Sequence, residues 1–175
     1  MKQRYLITFD GSENSEYALF WSLENLIDPD KDELLLLSVG VLTDVSPFEY
    51  EYTAASRNIL PQSEIELQKK QVEEQAKGYV NQAKNIITDF YSTRKRKPPS
   101  QHLTYELYVN SSSDPTNYII EFIREHNVDA LVIGDQEIED EINPNENNVG
   151  NVSQRCCIHS AMCTVVIARK KREIK

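Results

Sequence analysis

The sequence predicts an α/β doubly wound sandwich, a five-stranded parallel sheet with helices on both faces. Two observations and one topological rule carry that expectation. Short apolar runs alternate along the chain with segments of helical period. Several of the runs are apolar at nearly every position, the pattern of strands covered on both faces. Strict β/α alternation of this kind closes only as a parallel sheet with right-handed crossovers.

Tyr5 to Phe9 is the first such run, and Asp10, Gly11 and Ser12 end it in a tight turn. Leu19, Phe20, Leu23, Leu26 and Ile27 then recur at helical spacing, with Glu13 and Glu16 near the positive end of the helix dipole and Pro29 as the stop. Leu34 to Leu42 reads as the central partner of the first strand. The stretch 43–63 is irregular: Pro47 and Pro61 bracket Phe48, Tyr50 and Tyr52 in a long aromatic-bearing connection. From Ile65, the positions Val72, Ala76, Val80, Ala83, Ile87 and Phe90 trace a long amphipathic helix with Gly78 as its weak point. Arg94 to Lys97 reads as its solvated basic end, and Pro98 and Pro99 break it.

Leu103, Tyr105, Leu107 and Val109 alternate with polar neighbours, as in an edge strand with one better-buried face. Asp114 and Pro115 form a helix start, and Ile119, Phe122 and Ile123 supply its buried stripe until about His126. "VDALVIG" is another covered strand. A short helix near Val152 to Ser160 leads into a last strand, Thr164 to Ala168.

The chain of 175 residues is expected to form a single domain, 1–175. Its 28 acidic against 19 basic side chains give a net charge of −9, which disfavours nucleic acid and anionic membrane as partners. No apolar run approaches the ~20 residues that span a bilayer, and Met1 to Phe9 lacks the flank and length of a secretory signal. Cys156, Cys157 and Cys163 are odd in number and crowded at one end, so they read as thiols in a reducing, cytoplasmic setting.

In doubly wound sheets ligands bind beyond the carboxyl ends of the strands, where strand order reverses. Asp10, Val39, Gly134 and Gly150 fall on that rim. Asp10 has two readings, as a turn former or helix cap and as a ligand-contacting carboxylate. Gly134 and Gly150 have two as well, as strand and helix punctuation or as parts of a phosphate loop.

The segments "LITFDGSENSEYALFWSLENLI", "LLLLSV", "SSDPTNYIIEFIREHNVDALVIG" and "GNVSQ" before "CTVVIA" resemble, in order and spacing, the universal stress protein family. The resemblance covers nearly the whole chain. It implies a strand order of 3-2-1-4-5, a stress-response module, and a dimer joined through the last strand, Thr164 to Ala168. That strand is β-branched and lies at a sheet edge, which favours pairing with a second copy. The resemblance also implies an ATP or AMP site, built from an aspartate after the first strand, a valine ending the second, and a G-x2-G-x9-G-[ST] loop after the fourth; magnesium beside ATP is an expectation from the acids of that loop, which it would recruit to the phosphates. Asp10, Val39 and Gly134 match the aspartate, the valine and the first glycine. Gly150 matches the third glycine, and Asn151, Val152 and Ser153 open the helix behind it.

The loop departs from the family pattern. Glu137 stands at the second glycine, twelve residues rather than nine separate it from Gly150, and Asn151 replaces the hydroxyl residue. Asp135, Glu137, Glu139, Asp140, Glu141 and Glu146 fill the place where phosphates would lie, so triphosphate binding is expected to be weakened while adenosine recognition at Asp10 and Val39 persists. Helix-start amides at Asn151, Val152 and Ser153 still favour an anion.

Other classes fit less well. A nucleotide-free dimeric interaction protein of the same fold is the main alternative. Calcium at 135–146 is more remote: Asp135, Glu137, Glu139 and Glu146 match loop positions one, three, five and twelve, but Asp140 occupies the obligatory glycine position. Zinc at Cys156, Cys157, His159 and Cys163 lacks a C-x2-C pair. His102 and His126 have no catalytic partner in view, and "YVNSSS" offers Asn110 where a phospho-accepting aspartate would stand. A binding module is expected rather than an enzyme.

Overall fold

The computed structural model describes residues 2–42, 62–93, 104–135, 151–159 and 162–170. Its elements run β1 (Arg4–Thr8), α1 (Glu13–Asn25), β2 (Glu33–Val41), α2 (Gln62–Thr93), β3 (Thr104–Ser112), α3 (Pro115–Glu125), β4 (Ala130–Gly134), α4 (Asn151–His159) and β5 (Thr164–Ala168). All strand pairs are parallel and the sheet order is β3-β2-β1-β4-β5. The expected fold class and strand order are both present. The connection from 43 to 61, Arg94 to Lys97, His102, the acidic segment after Asp135, and Gly150 lie outside the described residues.

The sheet separates two cores. On one face α1 and α2 cover Tyr5, Ile7, Leu34, Leu36 and Val132, against Ala18, Leu19, Ala83 and Ile87. On the other, α3 and α4 cover Leu6, Leu35, Leu37 and Leu131, against Ile119, Phe122, Ile123 and Cys156. Alternate residues of β1 and β2 thus enter opposite cores, which is why these strands read as continuous apolar runs. Each fully buried Leu or Ile contributes about 1.5–3 kcal/mol.

Two elements differ from expectation. Phe20, assigned to the buried stripe of α1, is 39% exposed and meets Phe90 of α2 edge-on, with ring centroids 5.4 Å apart. The inward face of α1 instead includes Ser15 and Ser22, and Ser22 Oγ donates to Ala18 O at 2.7 Å, which removes its cost of burial. β3 has no fully buried face, because as an edge strand it is covered only in part: Tyr105 leans on the first core and Tyr108 on the second. α2 begins at Gln62 and continues unbroken through Gly78.

Candidate functional site

The site grows from the turn after β1. Phe9 is buried and its N–H donates to Leu37 O at 2.9 Å, which fixes Asp10 beside the end of β2. Gly11 follows at φ +77°, and a Cβ there would lie 2.4 Å from the Tyr79 ring of α2, so the turn needs both the conformation and the space that glycine provides. Ser12 caps α1, its hydroxyl accepting from Ser15 N at 3.2 Å.

The cap role that Asp10 was a candidate for therefore belongs to Ser12, and Asp10 braces it. Asp10 Oδ1 accepts from Ser12 Oγ at 2.6 Å and from Ser12 N at 3.0 Å. Desolvation is the largest influence on this carboxyl and raises its pKa. Hydrogen bonds from Ser12 and Ser15 outweigh it and hold the pKa below the usual range.

Thr8, Phe9, Asp10, Ser12, Asn14, Ser15, Leu37, Val39, Val41, Pro115, Ile119, Ile133, Gly134, Val152 and Ser153 line one cleft of about 220 Å³. Of the residues singled out in the sequence, Asp10, Val39, Gly134, Val152 and Ser153 meet there. Asn151 is the first residue of α4, and Gly150 is outside the described residues. The first turns of α1, α3 and α4 all contribute, through Asn14 and Ser15, Pro115, and Val152 and Ser153, so the positive ends of three helix dipoles are gathered at one cleft. Val39, Val41, Ile119 and Ile133 give it an apolar side suited to a flat ring. Pro115 and Ile119 were not foreseen, because in the sequence they mark only a helix start and its buried stripe.

Gly134 has a structural duty. A Cβ on it would fall 2.5 Å from Asn14 C and O and 2.8 Å from Ser15 N, so the first turn of α1 rests directly on this glycine. Ser153 is 2% exposed and its Oγ donates to Gly134 O at 3.3 Å, tying α4 to the same point.

Asp135 departs from expectation. Read as one of six acids surrounding a phosphate position, it is instead 1% exposed, and its Oδ2 accepts from Arg169 Nε at 2.6 Å with Arg169 Nη2 at 2.5 Å. Its N–H donates to Ala168 O at 3.1 Å. The strand-ending position turned its side chain inward, where a cation beyond β5 meets it. A guanidinium thus occupies the carboxylate that would have been the first calcium ligand. Among the described residues no group of three or more His, Cys, Asp or Glu side chains is arranged to hold a metal. Cys156 is buried, and burial pushes its thiol up to about 11, whereas Cys157 is exposed.

At the outer rim Asp114 caps α3, its Oδ1 accepting from Asn117 N at 3.1 Å. Arg155 of α4 grips the same carboxylate, Nη2 to Oδ2 at 3.1 Å and Nη1 to Oδ1 at 3.4 Å. The bond from the Asn117 amide, followed by that from Arg155, holds the Asp114 carboxyl below the usual range. A second cleft of about 250 Å³ lies between β2 and α2, lined by Val72, Gln75 and Tyr79 and sharing Asp10, Val39 and Val41 with the first.

The sequence profile of the universal stress protein family matches residues 1–169. No curated protein matches the chain. Among solved structures, the universal stress protein UspA from Lactobacillus plantarum is 16% identical with a TM-score of 0.64, covering 95% of this chain and 97% of that one. A universal stress protein from Archaeoglobus fulgidus is 14% identical with a TM-score of 0.55, covering 95% and 93%. A universal stress protein family protein from Arabidopsis thaliana, solved with AMP bound, is 17% identical with a TM-score of 0.51, covering 97% and 92%.

Proposed function

The chain belongs to the universal stress protein family, and on that premise we propose that it is a stress-response binding module of one domain, 1–175, that takes the adenosine part of AMP or ATP in the cleft beside Asp10 and Val39. The observation that carries this reading is the convergence of Asp10, Val39, Gly134, Val152 and Ser153, from widely separated parts of the sequence, on that one cleft. The apolar wall at Val39, Val41 and Ile119 suits a base, and the Asp10 carboxylate suits ribose hydroxyls. The similar Arabidopsis protein was solved with AMP bound, which supports the ligand class.

The triphosphate end is the weakened part. Glu137, Glu139, Asp140, Glu141 and Glu146 remain in the connection to α4 once Asp135 is set aside as paired. Each close like-charge contact at a surface costs on the order of 1 kcal/mol before screening. Magnesium accompanies ATP in this reading and offsets part of that repulsion. The module acts as a cytoplasmic homodimer joined through β5, a binder rather than an enzyme. Free thiols at Cys156, Cys157 and Cys163 support the reducing compartment, and no described helix is long and apolar enough to cross a membrane.

Calorimetric titration with adenosine, AMP and ATP, with and without magnesium, tests the proposal. Adenosine and AMP are expected to bind, ATP more weakly, and Glu137→Gly is expected to strengthen ATP alone. Tight magnesium-independent ATP binding would overturn the weakened-site reading. A nucleotide-free interaction protein is the second reading. It is favoured by the structural duty of Gly134, which the fold requires whether or not a ligand binds, and failure of all three ligands to bind would establish it.

A further inference from the structure

We propose that Arg155 selects phosphate-bearing ligands at the cleft and that Asp114 is the resident anion from which a ligand phosphate captures it. This inference rests on the reading of the cleft as an adenosine site.

The lining of the cleft includes the Asp10 carboxylate but neither lysine nor arginine among the described residues. An anionic tail there needs a cation from the rim. Arg155 lies three residues beyond Val152 on α4, hence on the same helix face, and Val152 lines the cleft. It reaches across to Asp114, whose chain neighbour Pro115 also lines the cleft. The ion pair therefore joins α4 to the start of α3 at positions adjacent in sequence or helix face to two lining residues, Pro115 and Val152.

Its present grip is one that can be exchanged. Both side chains are close to half exposed, 45% for Arg155 and 46% for Asp114, and pairs of that exposure are worth little. The planar fork that holds two carboxylate oxygens fits two phosphate oxygens equally well. Asp114 keeps the Asn117 amide after release, so its cap on α3 survives the exchange. The nearby cations are worse placed to serve. Arg169 is committed to a fully buried carboxylate, and Lys170 lies 4.0 Å from Glu13, with which it lines a separate hollow.

The test compares AMP with adenosine by calorimetry on the full chain. In Arg155→Gln, AMP affinity is expected to fall about fivefold, the scale of a half-exposed charge pair, with adenosine unchanged. In Asp114→Asn, which retains a good N-cap residue, AMP affinity is expected to rise by a few-fold and adenosine again to stay level. Both effects should shrink with added salt. An AMP-to-adenosine ratio that is the same in both variants as in the unmodified protein overturns the role of Arg155 and leaves the adenosine site standing. Absence of adenosine and AMP binding to the unmodified protein overturns both.

Discussion

Arg169 places two nitrogens, Nε at 2.6 Å and Nη2 at 2.5 Å, on the single oxygen Oδ2 of Asp135, so the residue that follows β4 is fastened to the first residue after β5. The carboxylate side chain is fully buried and the guanidinium 37% exposed. That asymmetry decides what breaking the pair does.

Arg169→Ala leaves a buried carboxylate without its cation and is expected to destabilise the fold by roughly 2–4 kcal/mol, somewhat below the range for fully buried pairs. Adding Asp135→Ala should recover part of the loss, because most of it is the uncompensated charge. Urea unfolding of the two variants measures both steps, and a double variant less stable than the single would refute the assignment.

Gly134→Ala inserts a methyl where the first turn of α1 already sits, 2.5 Å from Asn14 C and O. The helix must shift, at a cost of about 1–3 kcal/mol. The loss is expected with no nucleotide present, so thermal unfolding of the apo protein checks it. A variant as stable as the original would mean that α1 does not rest on this residue.

Strong acid should destabilise the protein. The carboxyls of Asp10, Glu33 and Asp114 are all held below their ordinary pKa values. For Glu33, burial is the largest influence and opposes the shift, but Arg4 Nε at 2.9 Å and Lys2 Nζ at 3.4 Å override it. A depressed folded pKa means that the unfolded chain binds protons more readily, so the stabilisation is complete above the unfolded values near about 4 and is lost as pH falls through the folded ones. Unfolding free energy measured against pH is expected to stay level from about pH 7 to 5 and to drop below about pH 4. A rise on acidification would contradict these assignments.

The proposed dimer can be tested on the backbone. Thr164 N–H points inward and donates to Asp129 O at 3.0 Å, so by alternation the Val165 N–H points to the open edge of β5. Val165→Pro removes that outward donor without touching the ladder to β4. Sedimentation at tens of micromolar, an order-of-magnitude choice for modest interfaces, is expected to show a dimer for the unmodified chain and a monomer for the variant. A monomer in both cases removes β5 as the contact.

The sheet was legible because every strand buried on two faces must be apolar throughout, and β1, β2 and β4 obey that rule over Leu6, Leu35 and Leu131 alike. The helix caps were half legible. Asp114 stood where Pro115 announced a start, but at the first helix the sequence pointed to Asp10, and the backbone, extended at Ser12, gives the cap to Ser12 instead. The pairs Asp135–Arg169 and Asp114–Arg155 were not legible, since each joins residues far apart in the chain whose partnership depends on which strands and helices become neighbours. Nor could spacing reveal that Gly134 supports α1, because close approach of a helix leaves no trace in the residues around a glycine.

The contact between Gly134 and α1 bears on how loss of a ligand would be recognised across related chains. The scaffold alone accounts for a glycine here, since a side chain would meet Asn14 and Ser15 with or without a nucleotide. Its presence in a chain of this fold is therefore no sign of an occupied site. The informative positions are those free of any packing duty, whose replacement the scaffold tolerates and a bound ligand would not.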